Sequence, residues 1–220
     1  MHNFDRYKVA IFDCDGVILD SNKIKSEAFA LALLDEEPAL VKEFVEYHQK
    51  HGGISRYIKF EHFFKNIKKQ SNYAQALANA LTRYATLSKE GLLECSEISG
   101  VRNVLEYFNV LKIPCYVASG GDQQEVREVF QRRNLAVYFN GIFGSPLSKI
   151  DNLSLLKREG KLPLPGVFFG DARSDMQAAQ EYDLNFVYIS GVSEWTGGIQ
   201  CSKEQGVNVF SDFNQVSLNV

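Results

Sequence analysis

The sequence predicts an α/β fold in which a parallel sheet is flanked by helices and interrupted early by an inserted helical segment. Short apolar runs at 9–12, 114–119 and 167–170 lack strict alternation and read as strands covered on both faces. Each ends in a loop carrying glycine with an acid or a hydroxyl, and helical periodicity follows. Between Asp20 and Cys95 such strand runs give way to helical stretches at 21–34, 39–50, 56–68 and 73–89. From Ser99 the alternation of helix and strand resumes, with a helix at 101–111, the strand at 114–119, and a helix at 123–133 bearing Val126, Val129 and Phe130 on one face. A strand at 141–144, a helix at 150–158 and strands at 167–170 and 186–189 complete it. The chain of 220 residues can bury a sizeable core. Its expected organisation is a discontinuous α/β core, 1–19 and 96–220, split by an α-helical cap at 20–95.

The strand ends carry the chemistry. Asp13 and Asp15 stand one residue apart just before Gly16. Two close carboxylates work together when a metal neutralises them, one attacking an electrophile while the other handles a proton. Alone, they also read as turn or capping acids. Ser119-Gly120-Gly121-Asp122 offers a hydroxyl and exposed backbone amides to a phosphoryl oxygen, or an ordinary turn and N-cap. Lys149 arrives as a helical pattern resumes, either a solvated surface charge or a fixed cation beside a nucleophile. Asp171 follows Gly170, and Asp175 comes four residues later, so both can share the first turn of a helix. That spacing suits an oxygen-rich magnesium site, with helix capping as the alternative.

Taken in order, these four segments resemble the signature motifs of the haloacid dehalogenase-like phosphohydrolase superfamily, and with the inserted helices its β-phosphoglucomutase/phosphoglycolate phosphatase branch. The resemblance implies a Rossmann-like parallel sheet flanked by helices, with an α-helical cap. It implies that Asp13 is the nucleophile forming an aspartyl-phosphate and Asp15 the general acid/base. Ser119, Gly120 and Lys149 would bind the phosphoryl group. Magnesium would be held by Asp13, the Asp15 backbone carbonyl and Asp171, with Asp175 orienting water at the ion or Lys149. In the cap, Gly53-Ile54-Ser55-Arg56 resembles the specificity loop of the branch and implies a substrate contact for Arg56; a surface arginine at a helix start is the alternative.

Two departures bear on the subfamily. Val17 replaces the threonine common in phosphatases and occurs in the mutase branch, whereas Gly170-Asp171 with Asp175 looks more phosphatase-like than the mutase Glu-Asp pair. Retention of Asp15 argues against a dehalogenase proper, and no cap lysine identifies itself for the imine chemistry of phosphonate hydrolysis. The implied function is a magnesium-dependent phosphatase of a small phosphorylated metabolite, a sugar phosphate or phosphorylated sugar acid. A phosphosugar mutase and a noncatalytic phosphate-binding regulator are the alternatives.

The formal net charge of −3 gives no global basic field, which argues against nucleic acid or an anionic membrane as principal partner. No apolar stretch is long enough for a membrane span, and the polar start lacks a signal-peptide core. A cytoplasmic monomer or small homo-oligomer is expected. Cys14, Cys95, Cys115 and Cys201 are dispersed and expected to be reduced, with Cys14 turned into the core. His48, His51 and His62 are expected at the surface or an interface rather than on a metal, and Tyr57, Phe60, Phe63 and Phe64 in the cap core.

Overall fold

The computed structural model describes residues 4–216. After strand β1 (Val9–Phe12) come five helices, α1 (Asn22–Ala32), α2 (Pro38–Lys50), α3 (Arg56–His62), α4 (Ala74–Glu94) and α5 (Val101–Val110). Strands β2 (Cys115–Asp122), β3 (Gly141–Ser145), β4 (Gly166–Gly170), β5 (Asn185–Ile189) and β6 (Asn208–Phe210) then alternate with α6 (Gln123–Arg132), α7 (Lys149–Arg158), α8 (Arg173–Glu181) and α9 (Gly198–Glu204). The six strands form one parallel sheet in the order β3-β2-β1-β4-β5-β6. The chain winds outward from β1 to β3, then crosses back to place β4 on the other side of β1. That reversal sets the carboxyl ends of β1 and β4 side by side, where open α/β sheets bind ligands.

Successive β1 side chains enter opposite cores, as the period of two requires. Ala10 and Phe12 join Val104 and Phe108 of α5 and Val126 and Phe130 of α6, while Val9 and Ile11 join Leu153 and Leu156 of α7 and Met176 of α8. The Phe12 and Phe169 rings stack with centroids 4.8 Å apart. Burying one such side chain contributes about 1.5–3 kcal/mol, which pins the strand ends that present the acids. A third cluster, including Phe29, Phe44, Phe60, Phe63, Phe64 and Tyr84, gives the inserted helices a core of their own.

Several local expectations change. β2 runs on through Gly120 and Gly121 to Asp122, with a register shift against β3, and Asp122 caps α6 by accepting from the Glu125 N–H at 3.0 Å. The third cap helix stops at His62 and continues as a π-helical turn, Phe63–Ile67. Its i→i+5 bond from Lys68 N–H to the Phe63 carbonyl accompanies burial of both consecutive phenylalanines. The sequence pattern missed α9 and β6, whose seven and three residues are too short for a periodic signal.

Phe60, Phe63 and Phe64 are buried as expected, but Tyr57 stays exposed and donates its hydroxyl to Asp122 at 2.9 Å. His48, expected at the surface or an interface, is buried, its ring 4.3 Å from that of Phe29. Cys14 faces the core, where burial raises its thiol pKa well above the ordinary value. No helix among the described residues is long and apolar enough to cross a membrane.

Candidate active site

Strand pairing extends into the first acid, since the Asp13 N–H donates to the Phe169 carbonyl at 2.9 Å. Asp13 Oδ1 accepts from the Cys14 N–H at 2.7 Å, and Oδ2 pairs with Lys149 Nζ at 2.7 Å. Lys149 is buried at the first position of α7, set there by a capping box between Ser148 and Asp151. Its amine also bonds Asp175, so the surface alternative for Lys149 does not hold. Asp175, in the first turn of α8, accepts from the N–H groups of Asp171 at 3.2 Å and Ala172 at 3.0 Å. It therefore caps the helix and faces the site at once. One oxygen each of Asp13, Asp171 and Asp175 lies within 4.8 Å of the others, and all three residues are buried. Gly16 has φ +72°, and a Cβ there would overlap the Asp171 carboxylate and the Asn22 amide, so only glycine turns the chain this close to the acids.

The Asp15 carboxylate stands outside this cluster, so any metal contact of Asp15 falls to its backbone carbonyl, as the resemblance implies. The start of α1 captures the carboxylate: Oδ2 pairs with Lys25 Nζ at 2.6 Å and Oδ1 accepts from Ser21 Oγ at 2.6 Å. Asn22 donates to Asp171 Oδ2 at 2.5 Å. Sequence reasoning missed Lys25 and Asn22. The available signal was their place on the helix that starts just after Asp15, with Ser21 and Lys25 one turn apart.

Ser119 is buried, and its Oγ accepts from the Gly121 N–H at 3.0 Å, closing the turn beside the acids. A Cβ on Gly120 would strike the Gly53 carbonyl, and Ser174 Oγ donates to the Gly52 carbonyl at 2.9 Å. The 51–55 loop thus closes over the strand ends and leaves a cavity of about 60 Å³ reached by Asp13, Asp15, Asp171 and Lys25.

Arg56 reaches this cavity, yet its guanidinium forks onto Glu125 of α6 at 2.9 and 2.5 Å and lies 4.6 Å from the centroid of the Tyr84 ring. The structure makes it a buried brace between α3 and α6. Removing one partner of a buried pair costs about 3–5 kcal/mol. Arg56→Ala is therefore expected to lower the melting temperature by about 10 °C, with Arg56→Met/Glu125→Leu recovering most of it. A large fall in kcat/KM at unchanged melting temperature would restore a direct substrate contact.

The charges decide what the site can hold. Four carboxylates, Asp13, Asp15, Asp171 and Asp175, face two ammonium groups, Lys25 and Lys149. Burial, then repulsion from Asp175 and Asp15, pushes Asp13 up to about 7 against the pull of Lys149. Burial and the same kind of repulsion, from Asp13 and Asp175, hold Asp171 well above the usual carboxylate range. Burial also opposes the Asp15 charge, but Lys25 and the Ser21 hydroxyl outweigh it and lower its pKa. The fully ionised set carries two excess negative charges on oxygen donors, which fits one divalent hard cation.

The model of the haloacid dehalogenase-like hydrolases matches residues 10–189. The chain belongs to this family. The match runs from the second residue of β1 to the end of β5, so all four acid, serine and lysine segments of this haloacid dehalogenase-like hydrolase fall within it. No curated protein matches the chain in sequence. Among solved structures, a predicted phosphoglycolate phosphatase from Haemophilus somnus is similar at TM-score 0.75 and 15% identity, with 96% of each chain covered. CbbY from Rhodobacter sphaeroides in complex with phosphate is similar at TM-score 0.75 and 14% identity, again over 96% of each chain. A mutant of CbbY in complex with xylulose-(1,5)bisphosphate gives TM-score 0.75 at 13% identity and 96% of each chain. At these identities the likeness establishes the shared fold.

Proposed function

We propose that this hydrolase is a magnesium-dependent phosphatase of a small phosphorylated metabolite, a sugar phosphate or phosphorylated sugar acid, working through an aspartyl-phosphate on Asp13. It works in the cytoplasm as a monomer or small homo-oligomer, with 1–19 and 96–220 as catalytic core and 20–95 as cap; residues 1–3 and 217–220 lie outside the described structure. The observation that carries this reading is the buried acid cluster at the ends of β1 and β4, with Lys149 bridging Asp13 and Asp175. Phosphate-bearing and sugar bisphosphate-bearing neighbours of the same fold support the substrate class.

Asp13 and Asp171 would hold the magnesium ion with the Asp15 backbone carbonyl, and Asp175 would reach the ion or Lys149. When bound, the ion supplies positive charge against the phosphoryl oxygens and the carboxylates. Asp13 Oδ attacks phosphorus as the bond to the ester oxygen breaks, and Asp15 gives that oxygen its proton. Asp15, now ionised, takes a proton from water, which attacks phosphorus and frees Asp13 with release of phosphate. Lys149 and the amides around Ser119 and Gly120 hold the transferring group throughout. Lys25 Nζ lies 2.6 Å from Asp15 Oδ2 and holds its pKa below the usual carboxylate range, which supports the base form that the second half of the cycle uses.

Lys25 is accordingly a positioning residue. Lys25→Met should lower kcat about a hundredfold, within the range general acid–base catalysis supplies. Losing the cation raises the Asp15 pKa, so the acidic limb of kcat against pH should move to higher pH, and Lys25→Arg should restore it in part. A pH profile unchanged in a folded Lys25→Met variant would remove the role.

The function itself is tested by phosphate release from phosphorylated sugars, sugar acids and short-chain metabolites with magnesium present. Release from a preferred compound supports the phosphatase. Accumulation of a sugar 6-phosphate from the 1-phosphate on bisphosphate priming, without free phosphate, would overturn it for a mutase. Binding without turnover would overturn it for a regulator.

A further inference from the structure

Lys59 of α3 is a lysine without a counter-ion in the wall of the active-site cavity. It is 2% exposed and forms no salt bridge among the described residues. Lysines this buried are almost never found unpaired. Its Nζ lies 2.7 Å from His48 Nδ1 and 3.4 Å from the His48 carbonyl, with the Phe29 ring centroid at 5.4 Å.

The imidazole completes the argument. With Nδ1 accepting from the Lys59 amine, the ring proton belongs on Nε2. That atom is buried and has no hydrogen-bond partner, on a residue 8% exposed that also lines the cavity. Glu194 Oε2 stands 3.9 Å from Nε2, beyond hydrogen-bond reach, and the Glu194 oxygens already accept from Ser26 and Gln49. When Lys59 is protonated, its third N–H lacks an acceptor, and so does the imidazole N–H.

We propose that Lys59 and His48 form the specificity subsite for a second anionic group, a carboxylate or a second phosphate, on the substrate. This rests on the phosphatase reading, which supplies the first anionic group at Asp13. Burial, together with the Lys25 charge, pushes Lys59 down to about 7. An arriving anion restores the ammonium and takes both free N–H groups, whereas a neutral hydroxyl leaves the buried amine uncompensated. The cavity of about 60 Å³ favours a short substrate, since a single water needs roughly 10–15 Å³ of such space. Arg56, committed to Glu125, leaves this task to Lys59.

The test compares 2-phosphoglycolate, ethane-1,2-diol bisphosphate and the neutral-ended 2-hydroxyethyl phosphate on wild type and Lys59→Met, which preserves length and apolar stem. Wild type should prefer at least one anionic ester, and which one separates carboxylate from phosphate. The ratio of its kcat/KM to that of the neutral ester should fall about ten- to a hundredfold in Lys59→Met, through KM. His48→Phe, which keeps a ring but no donor, should lose part of the same ratio. An unchanged ratio in folded variants, or a wild-type preference for the neutral ester, overturns the inference while leaving the phosphatase intact. Calorimetric binding of the same three compounds to Asp13→Asn, with and without Lys59→Met, reads the subsite independently. Lys59-dependent preference there, with no phosphate release by wild type, would keep the subsite and discard the phosphatase. Equal binding of all three overturns the subsite.

Discussion

Asp13→Asn should reduce phosphate release by about 10⁴-fold or more while the protein stays folded, the scale expected when the attacking group of a covalent mechanism is removed. The amide keeps the shape of the carboxylate but offers a poor nucleophile. Stability should not suffer. Asp13 sits in the fold with its pKa pushed up to about 7, so its ionised form is one the fold disfavours above the ordinary carboxylate range. Replacing it with a neutral group removes repulsion from Asp175 and Asp15, and Lys149 keeps Asp175 as its partner. Without divalent metal at neutral pH, the variant should melt at or above the wild-type temperature. Phosphate captured on the wild-type enzyme during turnover should map to Asp13, and Asp15→Asn should prolong that state with an activated ester. Label at any other residue, or near-normal activity in Asp13→Asn, would falsify the assignment.

The parts of the fold legible in the sequence are those set by burial along one stretch of chain. β1 and β4 are buried at every position, and an uninterrupted apolar run records that directly. The acids at their ends were legible because each follows its strand immediately. Illegible features depend on which distant group packs opposite. Arg56 meets Glu125 across 69 residues and Asn22 meets Asp171 across 149, and nothing local to either arginine or asparagine specifies the partner. His48 reads as a surface or interface position and Lys59 carries no local signal, yet the inserted helices turn both inward toward the cavity. Asp15 shows the same limit at closer range. Its place in the motif was readable, but capture by Lys25 depends on how α1 leaves the strand.

Withdrawal of divalent metal should abolish activity, by at least about a thousandfold given the several kcal/mol of charge stabilisation at stake, and should also destabilise the protein in a pH-dependent way. The sign follows from the acids. Asp13, with a folded pKa of about 7 against an ordinary 3.8, binds a proton in the folded state that the unfolded chain has released. In chelator, stability contributed by this group is therefore greatest near pH 4 and is lost as pH rises toward 7. Asp171, raised in the same direction, adds to the trend. Lys59 acts oppositely and in another window: with its folded pKa lowered to about 7, it favours the fold increasingly as pH rises from 7 toward 10.5. That effect is common to both metal conditions and cancels in their difference. Magnesium binds the ionised carboxylates in competition with protons, so the melting-temperature gain it gives should be small at pH 5 and reach about 5–10 °C near pH 8 at saturating metal. Calcium should produce a comparable thermal gain with little turnover, because its looser coordination places Asp13 less accurately against phosphorus. Full turnover in rigorously metal-free buffer, or a magnesium-induced thermal gain that shrinks between pH 5 and 8, would show that the buried acids do not form a divalent cation site.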